Sequence, residues 1–253
     1  MTEIMESKKT APPIQVKGLR KSFGNQKVLD GIDLEVAPGE TLSVLGQSGT
    51  GKSVLLKIII GLQQADSGSI RIHGREITGL SRKNLNPIRK KIGFLFQNSA
   101  LYDSLTVEQN VAFPLERFGE MTGAQRKSRV RNLLSTVGIE KDLDKLPSQI
   151  SGGMQKRVGL ARALALSPNI LLFDEPTAGL DPITASEIDT LILKMQREGN
   201  IASIVVTHDL PGARAVSDRL AVMRNGHILV QGTFKDLQES KDEFVVQFLN
   251  RGD

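Results

Sequence analysis

Several residue types are absent or scarce in this chain of 253 residues. It contains no cysteine and no tryptophan, and its aromatic residues are nine phenylalanines and one tyrosine. Without cysteine, a disulfide framework, a thiolate metal site and a cysteine nucleophile are all excluded. The absence fits a protein that works in a reducing cytoplasm. The low aromatic content disfavours base stacking, on which many proteins that bind single-stranded nucleic acid depend.

Long hydrophobic runs and a strong net charge are also missing. The longest apolar stretch lies near Val54–Ile60, is interrupted by Lys57, and is far shorter than the roughly 20 residues that span a bilayer. Residues 1–13 are polar, lack the apolar segment of a secretory signal, and predict a flexible leader. The net charge is +5, and the basic residues form short clusters typical of solvated helix faces. The sequence therefore predicts no nucleic-acid partner, and at most a peripheral attachment to a membrane.

Gly46–Ser53, with the sequence GQSGTGKS, matches the pattern of a phosphate-binding P-loop. The strand-like segment Thr41–Leu45 precedes it, and the helix-like segment Val54–Ile60 follows it. Glycines let the backbone curl so that successive N–H groups point at one anion, and the helix N-terminus adds partial positive charge. We expect Lys52 to reach the β- and γ-phosphates, and Ser53 to offer its hydroxyl to Mg²⁺. The alternative, a glycine turn with a chance lysine, is disfavoured by the strand and helix on either side.

Apolar periodicity along the chain predicts an α/β fold. Short alternating strands come before the P-loop, and continuous apolar runs typical of buried parallel strands come after it. The predicted strands are Ile14–Leu19, Val28–Asp30, Ile32–Val36, Thr41–Leu45, Gly68–Gly74, Ile92–Phe96, Ile170–Phe173 and Ser203–Thr207, followed by a hairpin of Arg219–Arg224 and His227–Val230 that turns at Asn225-Gly226. Helices are predicted within Thr106–Val137, over Gly152–Leu166 and Ile183–Glu198, and as short C-terminal helices at about residues 233–253. The helical spacing within Thr106–Val137 predicts a helical insertion there, and we expect the helical subdomain to extend over about residues 100–167.

Two carboxylates, Asp174 and Glu175, follow the apolar run Ile170–Phe173. A buried strand that delivers a carboxylate to the phosphate crevice commonly supports Mg²⁺ beside a P-loop, and we assign that part to Asp174. Because neighbouring side chains of an extended chain point in different directions, Glu175 can face the attacking water. We interpret it as the general base. The alternative is an acid at a helix start near Pro176.

Polar residues also follow other predicted elements. The amide of Gln97 could reach the metal or the water, and His208 could donate a hydrogen bond to the γ-phosphate. Ser151 is a good helix N-cap, and Gly152 and Gly153 expose backbone N–H groups. This helix start is either a plain capped helix or a second anion-binding terminus. Two phosphate-directed helix ends in one chain would suit a nucleotide shared between two copies.

In their order along the chain, these motifs resemble those of the nucleotide-binding subunit of an ABC transporter. The resemblance extends from about Ile14 to Gly232 and rests on GQSGTGKS at 46–53, Gln97, SGGM at 151–154, ILLFDE at 170–175, AGLD at 178–181 and His208. It implies a P-loop NTPase core with a mostly parallel sheet, an antiparallel β subdomain and an inserted α-helical subdomain, all in one ATPase domain over residues 14–253. It also implies an ATPase whose cofactors are ATP and Mg²⁺.

The resemblance further implies a role for each matching residue. The implied nucleotide-binding residues are Phe23, Gly46, Gln47, Ser48, Gly49, Thr50, Gly51, Lys52, Ser53, Val54, Ser151, Gly152, Gly153 and Asp181. The implied metal-binding residues are Ser53, Gln97 and Asp174, and the implied catalytic residues are Lys52, Glu175 and His208. Phe23 stands where the family often has a tyrosine that stacks on adenine, and its alternative is a plain core phenylalanine.

Three stretches, Gly49–Val54, Phe96–Tyr102 and Ile150–Ala163, are similar to the ATP-binding subunits of Mla-type phospholipid transporters. This resemblance implies a homodimer of ATPase subunits on the cytoplasmic side of the inner membrane. The implied partners are integral membrane permease subunits, an Mce-domain substrate-binding protein and a small STAS-like subunit. The alternatives are an ABC importer or exporter for another substrate, a soluble ABC ATPase that acts on nucleic acid, and a nucleotide-binding regulator without turnover.

Overall fold

The computed structural model describes residues 11–119 and 121–250, so most of the predicted leader lies outside the described residues. In chain order the strands are β1 (Ile14–Phe23), β2 (Gln26–Val36), β3 (Thr41–Leu45), β4 (Ser67–Ile72), β5 (Arg75–Glu76), β6 (Ile92–Leu95), β7 (Ile170–Asp174), β8 (Ala202–Thr207), β9 (Arg219–Arg224) and β10 (His227–Gly232). The α-helices are α1 (Lys52–Ile59), α2 (Arg82–Arg89), α3 (Val107–Phe118), α4 (Gly123–Thr136), α5 (Gly152–Ala163), α6 (Pro182–Gly199), α7 (Leu210–Val216), α8 (Phe234–Gln238) and α9 (Glu243–Asn250).

A six-stranded sheet forms the centre of the molecule, with the strand order β10-β9-β3-β8-β7-β6. All neighbouring pairs are parallel except the hairpin β9–β10. Every residue of β3, β6, β7 and β8 is buried, which explains why these strands are continuous apolar runs. The predicted, mostly parallel sheet is confirmed. Since parallel strands end at one edge, the segments that follow β3, β6, β7 and β8 are brought to the same side of the sheet.

A second, antiparallel sheet has the strand order β2-β1-β4-β5 and packs on the first through a shared apolar core that includes α1. The prediction of two short strands, Val28–Asp30 and Ile32–Val36, was wrong, because β2 is continuous from Gln26 to Val36. Gly31 has φ +83°, and the register of β1 against β2 shifts at this point. The break in the apolar pattern is therefore a bulge within one strand and not a loop.

The predicted helical insertion forms α3, α4 and α5, which pack on the α6 side of the central sheet. The helix after Ser151 ends at Ala163, three residues before the predicted end, and Ser167 then adopts φ +53° before Pro168. Helices α2 and α7 were not predicted. Both are short and contain a proline, which weakens the periodic pattern.

The C-terminal part of the described chain forms a third apolar cluster between the hairpin and helices α7, α8 and α9. The hairpin turns through Asn225 and Gly226, both with positive φ, as the sequence predicts. Thr233 and Asp236 cap the start of α8 reciprocally, also as predicted. Across residues 11–119 and 121–250, no helix combines the length and apolarity that a membrane crossing requires.

Candidate active site

The P-loop connects β3 to α1 and bends through Gly49 and Gly51, whose φ angles are +82° and +101°. A Cβ atom on Gly51 would lie 2.8 Å from the backbone oxygen of Val28 in the antiparallel sheet. Only glycine therefore fits at this position, for both its backbone angle and its surroundings. The loop residues Gln47, Ser48 and Gly49 are exposed. This arrangement leaves the outer part of the loop open to a phosphate chain.

Lys52 begins α1 but its ammonium group turns back over the loop. The side chain is only 5% exposed, and Nζ donates to the backbone oxygens of Gly46 at 2.6 Å and of Gln47 at 3.1 Å. Nζ also lies 3.4 Å from Oε1 of Glu175. Burial lowers the pKa of Lys52, against the opposing effect of the nearby Glu175 carboxylate. A cation is thus held in place beside an anion-binding loop.

The hydroxyl of Ser53 donates to Oδ1 of Asp174 at 2.6 Å, which joins the start of α1 to the end of β7. Burial raises the pKa of Asp174, and the Ser53 hydrogen bond opposes this shift. A carboxylate and a hydroxyl are hard oxygen donors, and Mg²⁺ is commonly bound through one or two carboxylates together with substrate phosphates. The pair therefore fits a magnesium site directly beside the P-loop.

Glu175 follows Asp174 with a left-handed backbone, φ +48°, which is uncommon for a residue other than glycine. Its Oε2 accepts a hydrogen bond from the Thr207 hydroxyl at 3.1 Å and lies 3.0 Å from Nδ1 of His208. Thr207 ends β8 and His208 follows it, so the carboxylate is held between the P-loop lysine and the end of the next strand. Strained backbone of this kind is concentrated at functional sites. Thr207 was not predicted as a site residue.

Gln97 lies just beyond β6, and its side chain is exposed. Its backbone oxygen accepts a hydrogen bond from the buried Nζ of Lys156, which also donates to the backbone oxygen of Glu175 at 3.0 Å. Burial lowers the pKa of Lys156 to about 8, while Asp174 and Glu175 act in the opposite direction. Sequence reasoning missed Lys156, because a lysine in a helix is usually a solvated side chain.

Ser151 caps α5 by accepting a hydrogen bond from the Met154 N–H at 3.2 Å, as predicted. Ser151 and Gly152 are exposed, whereas Gly153 is buried against α6. The carboxylate of Asp181 caps α6, where it accepts from the Ile183 N–H at 3.1 Å and from the Thr184 hydroxyl at 2.6 Å. These hydrogen bonds lower the pKa of Asp181, with the Thr184 hydroxyl as the largest cause. A nucleotide contact by Asp181 stays a prediction.

Phe23 ends β1, and 45% of its side chain is exposed, so the alternative of a plain core phenylalanine does not hold. Lys21 lies with Nζ 5.3 Å from the ring centroid. An exposed ring can stack on a nucleobase. Val54, by contrast, is partly buried against the apolar core below the P-loop. The structure therefore brings together five of the predicted site residues: Lys52, Ser53, Asp174, Glu175 and His208. The Phe23 ring is exposed to solvent, and its contact with adenine stays a prediction.

The site combines a glycine loop at the start of α1 with a carboxylate pair, Asp174 and Glu175, at the end of β7. The family model described as ABC transporter matches residues 29–178, a range that contains both features. The chain belongs to the ABC transporter family. As an ABC ATPase domain it binds ATP with Mg²⁺ and couples ATP hydrolysis to transport. The predicted family, fold and cofactors are confirmed.

Curated relatives in the ABC family resemble this chain over most of its length. It is 41% identical over 237 residues to the "Probable ribonucleotide transport ATP-binding protein mkl" of Mycobacterium leprae (strain TN), covering 94% of this chain and 68% of the relative. It is 41% identical over 223 residues to the "Methionine import ATP-binding protein MetN" of Brucella abortus (strain 2308), covering 88% and 60%. Neither relative is described as a lipid transporter.

Solved ABC cassettes share the fold. The "Dimeric structure of a post-hydrolysis state of the ATP-binding cassette MJ0796 bound to ADP and Pi" has a TM-score of 0.81 and 35% identity, and covers 87% of this chain and 98% of that chain. The structure of cbiO1 from Clostridium perfringens, part of the ABC transporter complex cbiONQ, has a TM-score of 0.82 and 33% identity, and covers 95% of each chain. Cassettes of this family dimerise and pair with membrane permease subunits.

Proposed function

We propose that this chain hydrolyses ATP at Glu175 within a pair of identical subunits and thereby drives lipid transport by membrane permease subunits. The observation that carries the catalytic part is the Glu175 carboxylate, which lies between Lys52 at 3.4 Å and His208 at 3.0 Å. Asp174, which precedes Glu175 at the end of β7, accepts a hydrogen bond from Ser53 of α1. Three groups that ATP hydrolysis requires are thus adjacent: Glu175 as proton acceptor, Lys52 as a cation for the phosphate charge, and Ser53 with Asp174 as a metal site.

In this mechanism the N–H groups of the loop Gly46–Ser53 hold the phosphates of ATP, and Lys52 balances their charge. Glu175 accepts a proton from the water that attacks the γ-phosphate, and His208 keeps the carboxylate oriented. Ser53 and Asp174, with Gln97 nearby at the end of β6, would hold Mg²⁺. When bound, this ion neutralises charge on the phosphoryl oxygens.

The pairing of two copies is proposed from the exposed start of α5. Ser151 and Gly152 lie at a helix N-terminus that the described part of the chain leaves open to solvent, where backbone N–H groups favour an anion. Each P-loop would face the residues Ser151, Gly152 and Gly153 of the other copy. The dimeric, ADP- and Pi-bound cassette with the same fold supports this arrangement.

A groove between the central sheet and α3 is the proposed docking place for the permease. It has a volume of about 380 Å³ and aromatic walls. The rings of Phe94 and Phe96 lie 4.1 Å apart, and those of Tyr102 and Phe113 lie 4.7 Å apart. Tyr102 is 47% exposed in the single chain. Exposed aromatic side chains that line a groove are typical of surfaces that a partner protein covers. Because the groove adjoins the segment after Gln97, a docked partner would sense the state of the active site.

Lipid as the cargo is proposed from the resemblance of three stretches, Gly49–Val54, Phe96–Tyr102 and Ile150–Ala163, to Mla-type subunits. The expected partners are then an Mce-domain protein and a small STAS-like subunit, with the ATPase on the cytoplasmic side of the inner membrane. The second candidate is import of a small polar solute. The relatives described for methionine import and ribonucleotide transport favour it.

The catalytic proposal is tested with the variant Glu175→Gln and the control Glu198→Gln, which removes an exposed carboxylate at the end of α6. Without a base, Glu175→Gln is expected to bind Mg-ATP, accumulate as a dimer and turn over about 10³-fold more slowly. The control should behave as the parent. Hydrolysis by Glu175→Gln at the parental rate would refute the assigned base, and a strictly monomeric protein with full turnover would refute the shared site.

The cargo is tested by purifying the chain with its membrane partners and reconstituting the complex in vesicles. The lipid proposal expects ATP-dependent transfer of a labelled phospholipid between vesicles, abolished by Glu175→Gln. The importer alternative expects ATP-dependent accumulation of labelled methionine or a ribonucleotide, with no phospholipid transfer. Either result decides between the two cargo classes without affecting the assignment of the ATPase site.

A further inference from the structure

One face of α5 carries three residues at helical spacing: Lys156, Gly159 and Arg162. All three meet the segment that follows β6. Gly159 lies so close that a Cβ atom built on it would be 3.3 Å from Cβ of Ser99 and 2.8 Å from the side chain of Leu95. The helix and this segment are therefore in close contact, with no space for a larger residue between them.

Arg162 holds the far end of the same segment. Its guanidinium donates to the backbone oxygens of Ser99 and, at 2.7 Å, of Ala100. Ser99 and Ala100 both have left-handed backbones, with φ of +57° and +46°. Two successive non-glycine residues in this conformation are costly and persist where the surroundings determine them. The turn after Gln97 is thus fixed to α5 by charge-assisted hydrogen bonds.

Lys156 holds the near end and reaches one step further. Its Nζ donates to the backbone oxygen of Gln97 and, at 3.0 Å, to that of Glu175. The side chain is 5% exposed. If the ammonium group were removed, bulk water could not readily replace it as the donor to these two carbonyls, and leaving them unpaired would cost free energy. One ammonium group therefore connects the α5 helix to the segment after β6 and to the strand end that carries the Glu175 carboxylate.

We propose that Lys156 is a positioning residue for ATP hydrolysis, acting through the backbone of Glu175 and Gln97. This inference rests on the proposed role of Glu175 as the base. The helix that carries Lys156 begins after its N-cap Ser151, at the end expected to meet ATP bound to the other copy. A displacement of α5 is then transmitted through Lys156 to the residue that holds the attacking water.

If Lys156 only stabilised the fold, its removal would lower stability without a specific effect on turnover. Arg129 provides a control for this possibility. Arg129 is a partly buried cation in the helical region, and its partial burial lowers its pKa. It donates to the backbone oxygen of Leu164 at 3.0 Å and to the hydroxyl of Ser167 at 3.1 Å. These partners lie at the other end of α5, away from the active site. Removing Arg129 therefore tests the loss of a partly buried cation that holds backbone of the helical region but has no connection to Glu175.

The experiment compares Lys156→Met, Lys156→Arg and Arg129→Met in the full chain, with Mg-ATP as substrate and at a temperature well below each midpoint of unfolding. We expect Lys156→Met to lower kcat by about tenfold or more with KM for ATP within about twofold, because binding groups stay in place while the base is mispositioned. Lys156→Arg, which keeps donors for both carbonyls, should recover most of kcat. Arg129→Met should lower the midpoint of unfolding and leave kcat unchanged.

Three results would overturn the proposal: an unchanged kcat in Lys156→Met, an equal loss of kcat in Arg129→Met, or a loss confined to KM. If Lys156→Met does not fold, Lys156→Gln, which keeps a polar side chain with an N–H donor, is measured by single-turnover hydrolysis, and an unchanged rate overturns it as well. Glu175→Gln is included in each assay. If that variant keeps its turnover, the assigned base is wrong; if it is inactive while Lys156→Met is fully active, only the present inference fails.

Discussion

Nδ1 of His208 and Oε2 of Glu175 lie 3.0 Å apart. The same oxygen accepts a hydrogen bond from the Thr207 hydroxyl, and Oε1 of the carboxylate lies 3.4 Å from Nζ of Lys52. Three segments of the chain thus orient one carboxylate: the P-loop, the end of β7 and the end of β8. The His208 side chain is 57% exposed, so it can contact both the carboxylate and a substrate in the cleft.

The first prediction concerns His208. We expect His208→Ala to lower kcat by about 10²-fold and to change KM for ATP little, because the lost contacts orient a catalytic group and meet charge that develops in the transition state. Thr207→Val is the matched control: it removes the hydroxyl that donates to the same carboxylate oxygen and accepts from the Asp209 N–H, and it should lower kcat by only about threefold. Steady-state ATPase assays of both variants check this. A larger loss in Thr207→Val than in His208→Ala would contradict it.

The second prediction concerns the hydrogen bond between Ser53 and Asp174. If these oxygens hold Mg²⁺, Ser53→Ala and Asp174→Asn should both raise the Mg²⁺ concentration needed for half-maximal hydrolysis, and Asp174→Asn should do so more, because it removes a charged ligand. Mg²⁺ titrations at fixed ATP measure the shift. Ser43→Ala removes a buried hydroxyl from the preceding strand and should leave the Mg²⁺ requirement unchanged. Equal shifts in all three variants would exclude a specific metal contact.

Much of the fold could be predicted, because buried parallel strands are recorded in the sequence as uninterrupted apolar runs. The run Ile170–Phe173 and the run Ser203–Thr207 both lie in strands of the central sheet. Helix α2 could not be predicted in the same way, since Pro87 lies inside it and Leu85 and Ile88 are its only buried residues. Such a short element is specified by its contacts with the rest of the structure and not by a periodic pattern.

The candidate site was partly predictable, for a similar reason. Residues such as Lys52 and Asp174 stand at fixed offsets from a glycine loop or a strand end, so their chemistry can be read along the chain. Lys156 and Thr207 contact Glu175 from segments 19 and 32 residues away. Nothing in the neighbouring sequence indicates that Nζ of Lys156 is buried or that the hydroxyl of Thr207 contacts a carboxylate. Such contacts follow only from the packing of α5 and β8 against β7.

The third prediction separates two reasons for glycine in the P-loop: a positive φ angle and the lack of space for a Cβ atom. Gly49 and Gly51 both have positive φ, but only Gly51 has a close neighbour where a Cβ atom would lie, the backbone oxygen of Val28 at 2.8 Å. Gly49→Ala should lower the free energy of unfolding by about 1 kcal/mol through backbone strain alone. Gly51→Ala should cost about 2–3 kcal/mol and weaken ATP binding more, since the loop must also move. Urea unfolding and nucleotide titration measure both, and equal costs would contradict the crowding at Gly51.

The last prediction concerns a pair of carboxylates between α6 and α7. A Cβ atom on Gly212 would lie 2.5 Å from Oδ2 of Asp209 and 2.8 Å from Oδ2 of Asp189, so both groups crowd one position. Burial, with the nearby Asp209 charge, raises the pKa of Asp189 from 3.8 to about 6. The described residues that line this cleft include His208 and Glu175 but neither lysine nor arginine. The Asp189 charge is thus poorly compensated at neutral pH.

Because the folded protein binds a proton at Asp189 more tightly than the unfolded chain does, this group lowers stability progressively as pH rises from 3.8 to about 6, and the full penalty remains above that range. Asp189→Asn should therefore raise the free energy of unfolding at neutral pH by on the order of 1–3 kcal/mol, and the midpoint of unfolding by a few degrees. Below about pH 4 the gain should vanish, since the carboxyl is then neutral in both states. Asp103→Asn, at an exposed carboxylate before α3, removes the same charge without the burial. A gain in Asp103→Asn equal to that in Asp189→Asn would show that net charge, and not the partly buried Asp189 carboxylate, limits stability at neutral pH.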